Sequence, residues 1–197
     1  DFQYDLQGRL EVAIVTTYTS GVASRIERTT YDYDSSGIRV SALHEVDTDA
    51  DEDWDTRTLT EYLNDPMNFT GYSQVLRETH INAETDEVQK VIEYTIGHDQ
   101  ISQTTIVYTG GTPGTPETVV FGADGHGSVR MLLNMAGAVA TMGGMRQLFH
   151  YDAYGNAVGF NAAAAATTFL YSGEQFDSRI GQQYLRARYY DASTGRF

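Results

Sequence analysis

Five aspartates on alternate residues, Asp47, Asp49, Asp51, Asp53 and Asp55, with Glu52 among them, form the densest set of potential ligands in the chain. Carboxylate oxygens in that number suit Ca²⁺, a hard ion that takes about 6–8 oxygens. The run has neither the glycine at the sixth position nor the distal glutamate of an EF-hand loop. Apolar periodicity lapses across it except at Trp54, so the plainer reading is a solvated acidic loop or hairpin tip. Ca²⁺, with Asp47, Asp49, Asp51 and Asp53 as its candidate ligands, is the one cofactor the sequence admits.

The remaining chemistry is thinner. His44, His80, His98, His126 and His150 supply imidazoles, yet no two stand four apart as a helical zinc site requires. Ser128, close to His126 in Gly125-His126-Gly127-Ser128, lacks the strand-turn-helix setting of a nucleophile elbow. Glu174 with Asp177, or Asp152 with Asp191, could be set out as a glycosidase pair, and tyrosine-rich β surfaces can stack on sugars. Turn closure explains each Asp that follows a Tyr more simply. No catalytic residue is assigned, and the chain is read as a non-enzyme.

What would position these groups is a recurring unit: an aromatic, an Asp, two or three small or polar residues, a Gly, then a polar and an apolar residue. It occurs as Tyr4-Asp5 with Gly8-Arg9, as Tyr33-Asp34 with Gly37, as Tyr151-Asp152 with Gly155, and as Tyr190-Asp191 with Gly195-Arg196. Asp can close an Asx-type turn, Gly takes the positive φ of the turn or its bulge, and the flanking alternation supplies strands. Tyrosines of stacked hairpins are expected to meet across strands, at roughly 0.2–1 kcal/mol per pair. Arg9, Arg39, Arg130 and Arg196, just past the turn glycines, are expected to reach the Asp or the Tyr face of an adjacent unit. Arg186 and Arg188, beside Tyr184, read as an ion-pair ladder along a strand.

Composition agrees with a packed β protein. The chain has 197 residues, 41% hydrophobic and 20% charged, which is ordinary for a folded chain. Fourteen tyrosines stand against a single lysine, Lys90, and tyrosine suits a pleated, half-wet surface. A net charge of −14 argues against nucleic acid, whose phosphates need clustered Lys and Arg. The absence of cysteine removes disulfides and thiolate metal sites. No apolar run is long enough for a membrane helix, so no membrane insertion is expected. Asp1 reads as mid-sequence, so the chain is expected to be a section of something longer.

Turn signals recur roughly every 8–12 residues with no sustained helical period, which predicts an all-β array of hairpins. Val12 to Tyr18, Arg57 to Tyr62, Val88 to Ile96 and Ile101 to Tyr108 read as strands, and Phe69 to Glu78 as a further strand pair. Thr109 to Pro116 reads as a flexible loop, and Ala162 to Ala166 as either a helical turn or a short loop. Two segments are drawn: hairpins over 1–61, carrying the acidic loop 47–55, and a denser region over 62–197.

Four stretches carry a family resemblance: Tyr62-Leu63-Asn64-Asp65 to Gly71-Tyr72-Ser73-Gln74-Val75-Leu76; Gly122 to Arg130; Phe149 to Gly155; and Tyr184-Leu185-Arg186-Ala187-Arg188-Tyr189-Tyr190-Asp191 to Gly195-Arg196-Phe197. They resemble the YD-repeat or RHS proteins, and most closely the RHS-associated core. That family includes bacterial polymorphic toxins, the cocoon component of insecticidal toxin complexes, and teneurins. The resemblance implies a β-spiral whose wall forms a hollow shell, with this chain a section near its closing end. It implies a secreted or cell-surface bacterial protein that encapsulates or presents a polypeptide cargo. Partners would be neighbouring repeats or other copies, met through open sheet edges. Toxin-delivering members continue past Gly-Arg-Phe into an Asp-containing autocleavage segment, so self-cleavage is not expected of these residues. The alternative is an adhesive or filament- or lattice-forming surface protein built of the same repeat.

Overall fold

The computed structural model describes residues 1–68 and 71–197. The strands, in chain order, are β1 (Phe2–Tyr4), β2 (Leu10–Thr19), β3 (Val22–Tyr33), β4 (Arg39–Asp47), β5 (Thr56–Asp65), β6 (Gln74–Asn82), β7 (Val88–Ile96) and β8 (Gln100–Thr109). They continue with β9 (Thr112–Pro113), β10 (Glu117–Ala123), β11 (Val129–Asn134), β12 (Thr141–Met142), β13 (Met145–Arg146), β14 (Gln175–Asp177), β15 (Gln182–Tyr184) and β16 (Tyr189–Tyr190). The protein is all-β, with 54% of residues in strands and, among the described residues, two short 3₁₀ turns for helix. No helix among the described residues is long and apolar enough to cross a membrane.

Two compact units are formed, residues 1–91 with 106–115, and residues 92–105 with 116–197. The motif boundary at 61/62 falls inside β5. In the first unit, sequence neighbours pair antiparallel from β1 to β6, a meander of long hairpins. Val, Ile, Thr and Tyr dominate these strands, side chains that fit a pleated sheet. Register sorts them by face: Thr29 pairs His44, which pairs Thr58, while Tyr31 pairs Ala42 and Ala42 pairs Thr60. That face is the buried one, with Thr29, Tyr31, Ala42 and Thr60 all nearly inaccessible. On the opposite face Arg28 pairs Glu45 and Glu45 pairs Arg57. Both guanidiniums bond its carboxylate, at 2.6 and 2.9 Å, and screen it so that only 1% of Glu45 is exposed. An ion-pair ladder therefore exists, three strands wide, on β3, β4 and β5.

β8 turns back into β9 within this unit, so part of the segment Thr109 to Pro116 is a short hairpin instead of a free loop. Phe69 and Thr70, at the start of the expected strand pair 69–78, lie outside the described residues; β6 begins at Gln74.

The second unit uses shorter strands and more corners. β10 pairs both β8 and β11, and β14, β15 and β16 form a small sheet of their own. Between them the chain is anchored by buried amides. Gln147, wholly buried, donates to the carbonyls of Met142 and Met145 and accepts from the Ala166 N–H. Gln103 donates to the Ala166 carbonyl. The alanine run does hold a 3₁₀ turn, Ala162–Ala164, capped by the Asn161 side chain accepting from the Ala163 N–H. Phe149, Leu132, Phe169 and Leu170 fill the core, with Tyr94 set edge-on to Phe169 at 4.8 Å.

Candidate functional site: linked hairpin corners

Four residues suffice to build each corner. Asp5 Oδ1 accepts the N–H groups of Gln7 and Arg9 at 2.8 and 2.9 Å, and Gly8 donates to the Asp5 carbonyl at 3.0 Å. The Asp5 N–H returns to the Arg9 carbonyl, and Gly8 sits at φ +77°. This is a three-residue hairpin loop whose last position lies in the left-handed region, which Gly enters without a Cβ penalty. The same bonds recur at Asp34 with Ser36, Ile38 and Gly37, at Asp124 with His126, Ser128 and Gly127, and at Asp152 with Tyr154, Asn156 and Gly155. Asn134 builds it too, its Oδ1 accepting from Ala136 and Ala138, because an amide oxygen serves as well as a carboxylate one. Asp191 builds a version one residue longer, with Gly195 donating back to it.

A register shift precedes the corner at Tyr4, at Tyr33, at Asn64 and at Ala123, each the residue before an Asp. A bulge there adds a residue to one strand and re-aims the side chain that follows. Tyrosines that precede a corner Asp reach back to an earlier corner. Tyr33 donates its hydroxyl to the Leu10 carbonyl at 2.6 Å, and Tyr151 donates to the Val129 carbonyl at 2.9 Å. Leu10 and Val129 stand at the same place after Asp5 and Asp124.

Arginine completes the link. Arg9 bonds Asp5 of its own corner at 2.6 Å and lies over the Tyr33 ring at 4.8 Å. Arg130 bonds Asp124 at 2.8 Å and lies over Tyr151 at 5.4 Å. Arg39, almost wholly buried, lies 4.2 Å from the Tyr62 centroid, and the Asn64 amide donates to its carbonyl. Each arginine thus joins its own turn to the aromatic of a later one, and such contacts are worth about 0.5–2 kcal/mol.

Two expectations are corrected here. Arginines lie over the Tyr33, Tyr62 and Tyr151 rings, while Tyr151 pairs with Tyr171 and Tyr184 with Tyr189. Arg196 contributes its backbone carbonyl to the Asp191 corner, while its exposed side chain reaches neither an Asp nor a ring among the described residues. Arg188 takes the aromatic contact, over Phe197 at 4.6 Å, and Arg186 forms an ion pair with Glu174. Those two arginines therefore do not form an ion-pair ladder with each other's strand. Tyr4 is exposed.

The acidic run also differs from a row of alternate carboxylates. Asp47 ends β4 and turns inward, 1% exposed, accepting the N–H groups of Asp49, Ala50, Asp51 and Glu52. The backbone wraps it, with Ala50 at φ +61° and Glu52 at φ +76°. Asp47, Asp49 and Asp55 come within 4.8 Å of one another, whereas Asp51 and Asp53 fall outside that group. A curled loop does not keep alternate residues on one face, which is why the expected set Asp47, Asp49, Asp51 and Asp53 is not assembled. Burial would raise the Asp47 carboxyl, but the four N–H groups hold it below the usual range. Asp49 moves up, pushed first by Asp51, then by burial and by Asp55 and Asp47.

Several of the side chains considered for catalysis hold partners of their own. His126 Nε2 lies 2.9 Å from Ser172 Oγ, and Ser172 stands at φ +55°, a contact with no sequence signal. Ser128 accepts the Ser172 N–H and the Gly173 N–H bonds Leu170, so those two amides are already engaged and unavailable to an oxyanion. Glu174 is paired with Arg186, and the buried Asp177 with Arg179 at 2.6 Å.

No family model matches this sequence, and no match is found among curated proteins. Solved structures do match in fold. The crystal structure of TcdB2-TccC3-TEV aligns over 99% of the chain with a TM-score of 0.69 and 17% identity. TcdB2-TccC3 without its hypervariable C-terminal region aligns over 99% at 0.66 and 18%. The Photorhabdus luminescens Tc holotoxin pore aligns over 98% at 0.65 and 16%. The chain spans only about 8% of the length of each of these chains.

Proposed function

We propose that this chain is a structural section of an RHS-type β shell, with no chemistry of its own, in a secreted or cell-surface bacterial protein. The observation that carries the reading is the corner linkage. Arg9 over Tyr33, with Tyr33 bonded back to Leu10, fastens one hairpin to the next without any partner or cofactor. Repeats that bury their faces only against neighbours form extended walls. The fold likeness to toxin-complex chains supports a toxin-related wall that encloses or presents a polypeptide cargo. β1, at one end of the long sheet, offers an edge through which further repeats or other chains could pair.

Electron microscopy of the full-length protein, purified from its native source, tests this. Closed hollow particles whose C-terminal polypeptide resists added protease are expected. Filaments or lattices, or a fully accessible C-terminal polypeptide, would replace the shell with the adhesive alternative.

A further inference from the structure

Within the second unit the C-terminal corners enclose a cavity of about 300 Å³. Phe176, Gln183 and Tyr190 stand opposite one another on β14, β15 and β16, so they form one cross-strand row of its wall. Tyr151 and Tyr171, 5.6 Å apart between centroids, line another side. The phenols are fixed: Tyr171 donates to the Ala153 carbonyl and Tyr190 to the Tyr154 carbonyl. Gly155 at φ +95° leaves room for this, since a Cβ there would lie 2.6 Å from the Tyr171 ring and 2.9 Å from Gln183.

A buried polar side chain stands in the wall. Gln183 is only 4% exposed, yet its carboxamide has no hydrogen-bond partner among the described residues and faces the cavity. The charge is also one-sided. Asp191 lines the cavity, its carboxyl held low first by the Ser193 hydroxyl, and no Lys or Arg lines it. Rings, a carboxylate and a free carbonyl oxygen are the surroundings that a cation with an alkyl body prefers.

We propose that this cavity binds a small alkylammonium group, its N–H donated to Gln183, its charge set against Asp191, and its alkyl part between the aromatic rings. The volume is at the small end for ligand sites, which fits one such group and not an extended polymer. The proposal does not depend on the shell reading.

The probe is n-butylammonium chloride, followed through the methyl resonances of Leu170 and Ile180 on the full chain, with sodium chloride at matched concentration as reference. Saturable shifts are expected, with n-butanol about tenfold weaker or worse. Asp191→Asn removes the charge and keeps the turn, as Asn134 does at its own corner, and is expected to weaken butylammonium about tenfold with an unchanged far-UV spectrum. Gln183→Leu is expected to do the same. An absence of saturation, equal binding of butanol, or an Asp191→Asn variant that binds as before would each overturn the proposal. Nα-acetyl-lysine amide separates the sources: binding by it assigns the site to lysine side chains, and its exclusion assigns the site to free amines.

Discussion

The Asp5 corner and the Asp152 corner are closed by the same bonds yet live in different surroundings. At Asp5 the turn stands in the open, with no atom within 4 Å of where a Gly8 Cβ would be. At Asp152 the turn is gripped. Tyr171 and Tyr190 bond its carbonyls, Asn156 donates to both Asp152 and the Ala192 carbonyl, and Gly155 is pressed by Tyr171. The motif is therefore a local device, and what it does is set by what leans on it. In the first unit it turns a strand; in the second it also walls a cavity.

The sharpest way to break that comparison is glycine to alanine at both corners. Gly8→Ala meets only the cost of positive φ, about 1–2 kcal/mol. Gly155→Ala meets that cost and a clash with a held ring, so a loss of about 3 kcal/mol or more is expected. Chemical denaturation of the two variants checks it, and equal losses would mean that the packing around Gly155 yields freely. Next in size, Tyr33→Phe and Tyr151→Phe each delete a hydroxyl that bonds an earlier corner. About 1 kcal/mol is expected from each, read from denaturation midpoints at constant slope. A null effect in the first unit alone would confine the linkage to the second.

Both kinds of corner should respond alike to acid. The Asp5 carboxyl is held low first by the Arg9 N–H, and that of Asp152 first by the Asn156 side chain. A folded value below the reference of 3.8 gives stability that is complete above about pH 4 and is lost as pH falls through the lowered value. Asp5→Asn and Asp152→Asn are each expected to flatten the acid limb of a stability–pH curve by lowering neutral stability toward its acid value. Asp49 works in the opposite sense, since protonation relieves its crowding. The smallest effect is expected from chelation. Asp47 already spends its oxygens on four N–H groups, so EDTA should move the melting temperature by less than about 2 °C, within the scatter of a 0.5 kcal/mol change. A shift of many degrees that Ca²⁺ reverses would make the acidic loop a metal site.

The corners were legible in the sequence because their information is local: an acceptor side chain, two spacer residues and a glycine. The all-β class followed from the same punctuation. Asn134 hid one corner, since only its turn, and not its equivalence to Asp, stands out beside Met135-Ala136-Gly137. Asp47 is hidden because a carboxylate in an acidic run reads as solvated, and nothing nearby reveals that the backbone folds over it. The links between corners were half visible. Arginine after the glycine suggested a cation–π partner, but the bulge that turns Tyr33 toward Leu10 is a property of paired strands. Ser172 with His126 and the row Phe176, Gln183, Tyr190 depend on distant or cross-strand partners, which spacing alone does not encode.

The bond from Tyr33 to Leu10 runs backward along the chain, and Tyr151 to Val129 runs the same way. Every such joint therefore has a polarity, with a socket left by the earlier hairpin and a peg carried by the later one. Duplication or deletion of one complete hairpin leaves peg and socket matched, whereas a break inside a hairpin strands one of them. Lineages can lengthen or shorten such an array in whole steps, and a duplicated hairpin finds its seat already made.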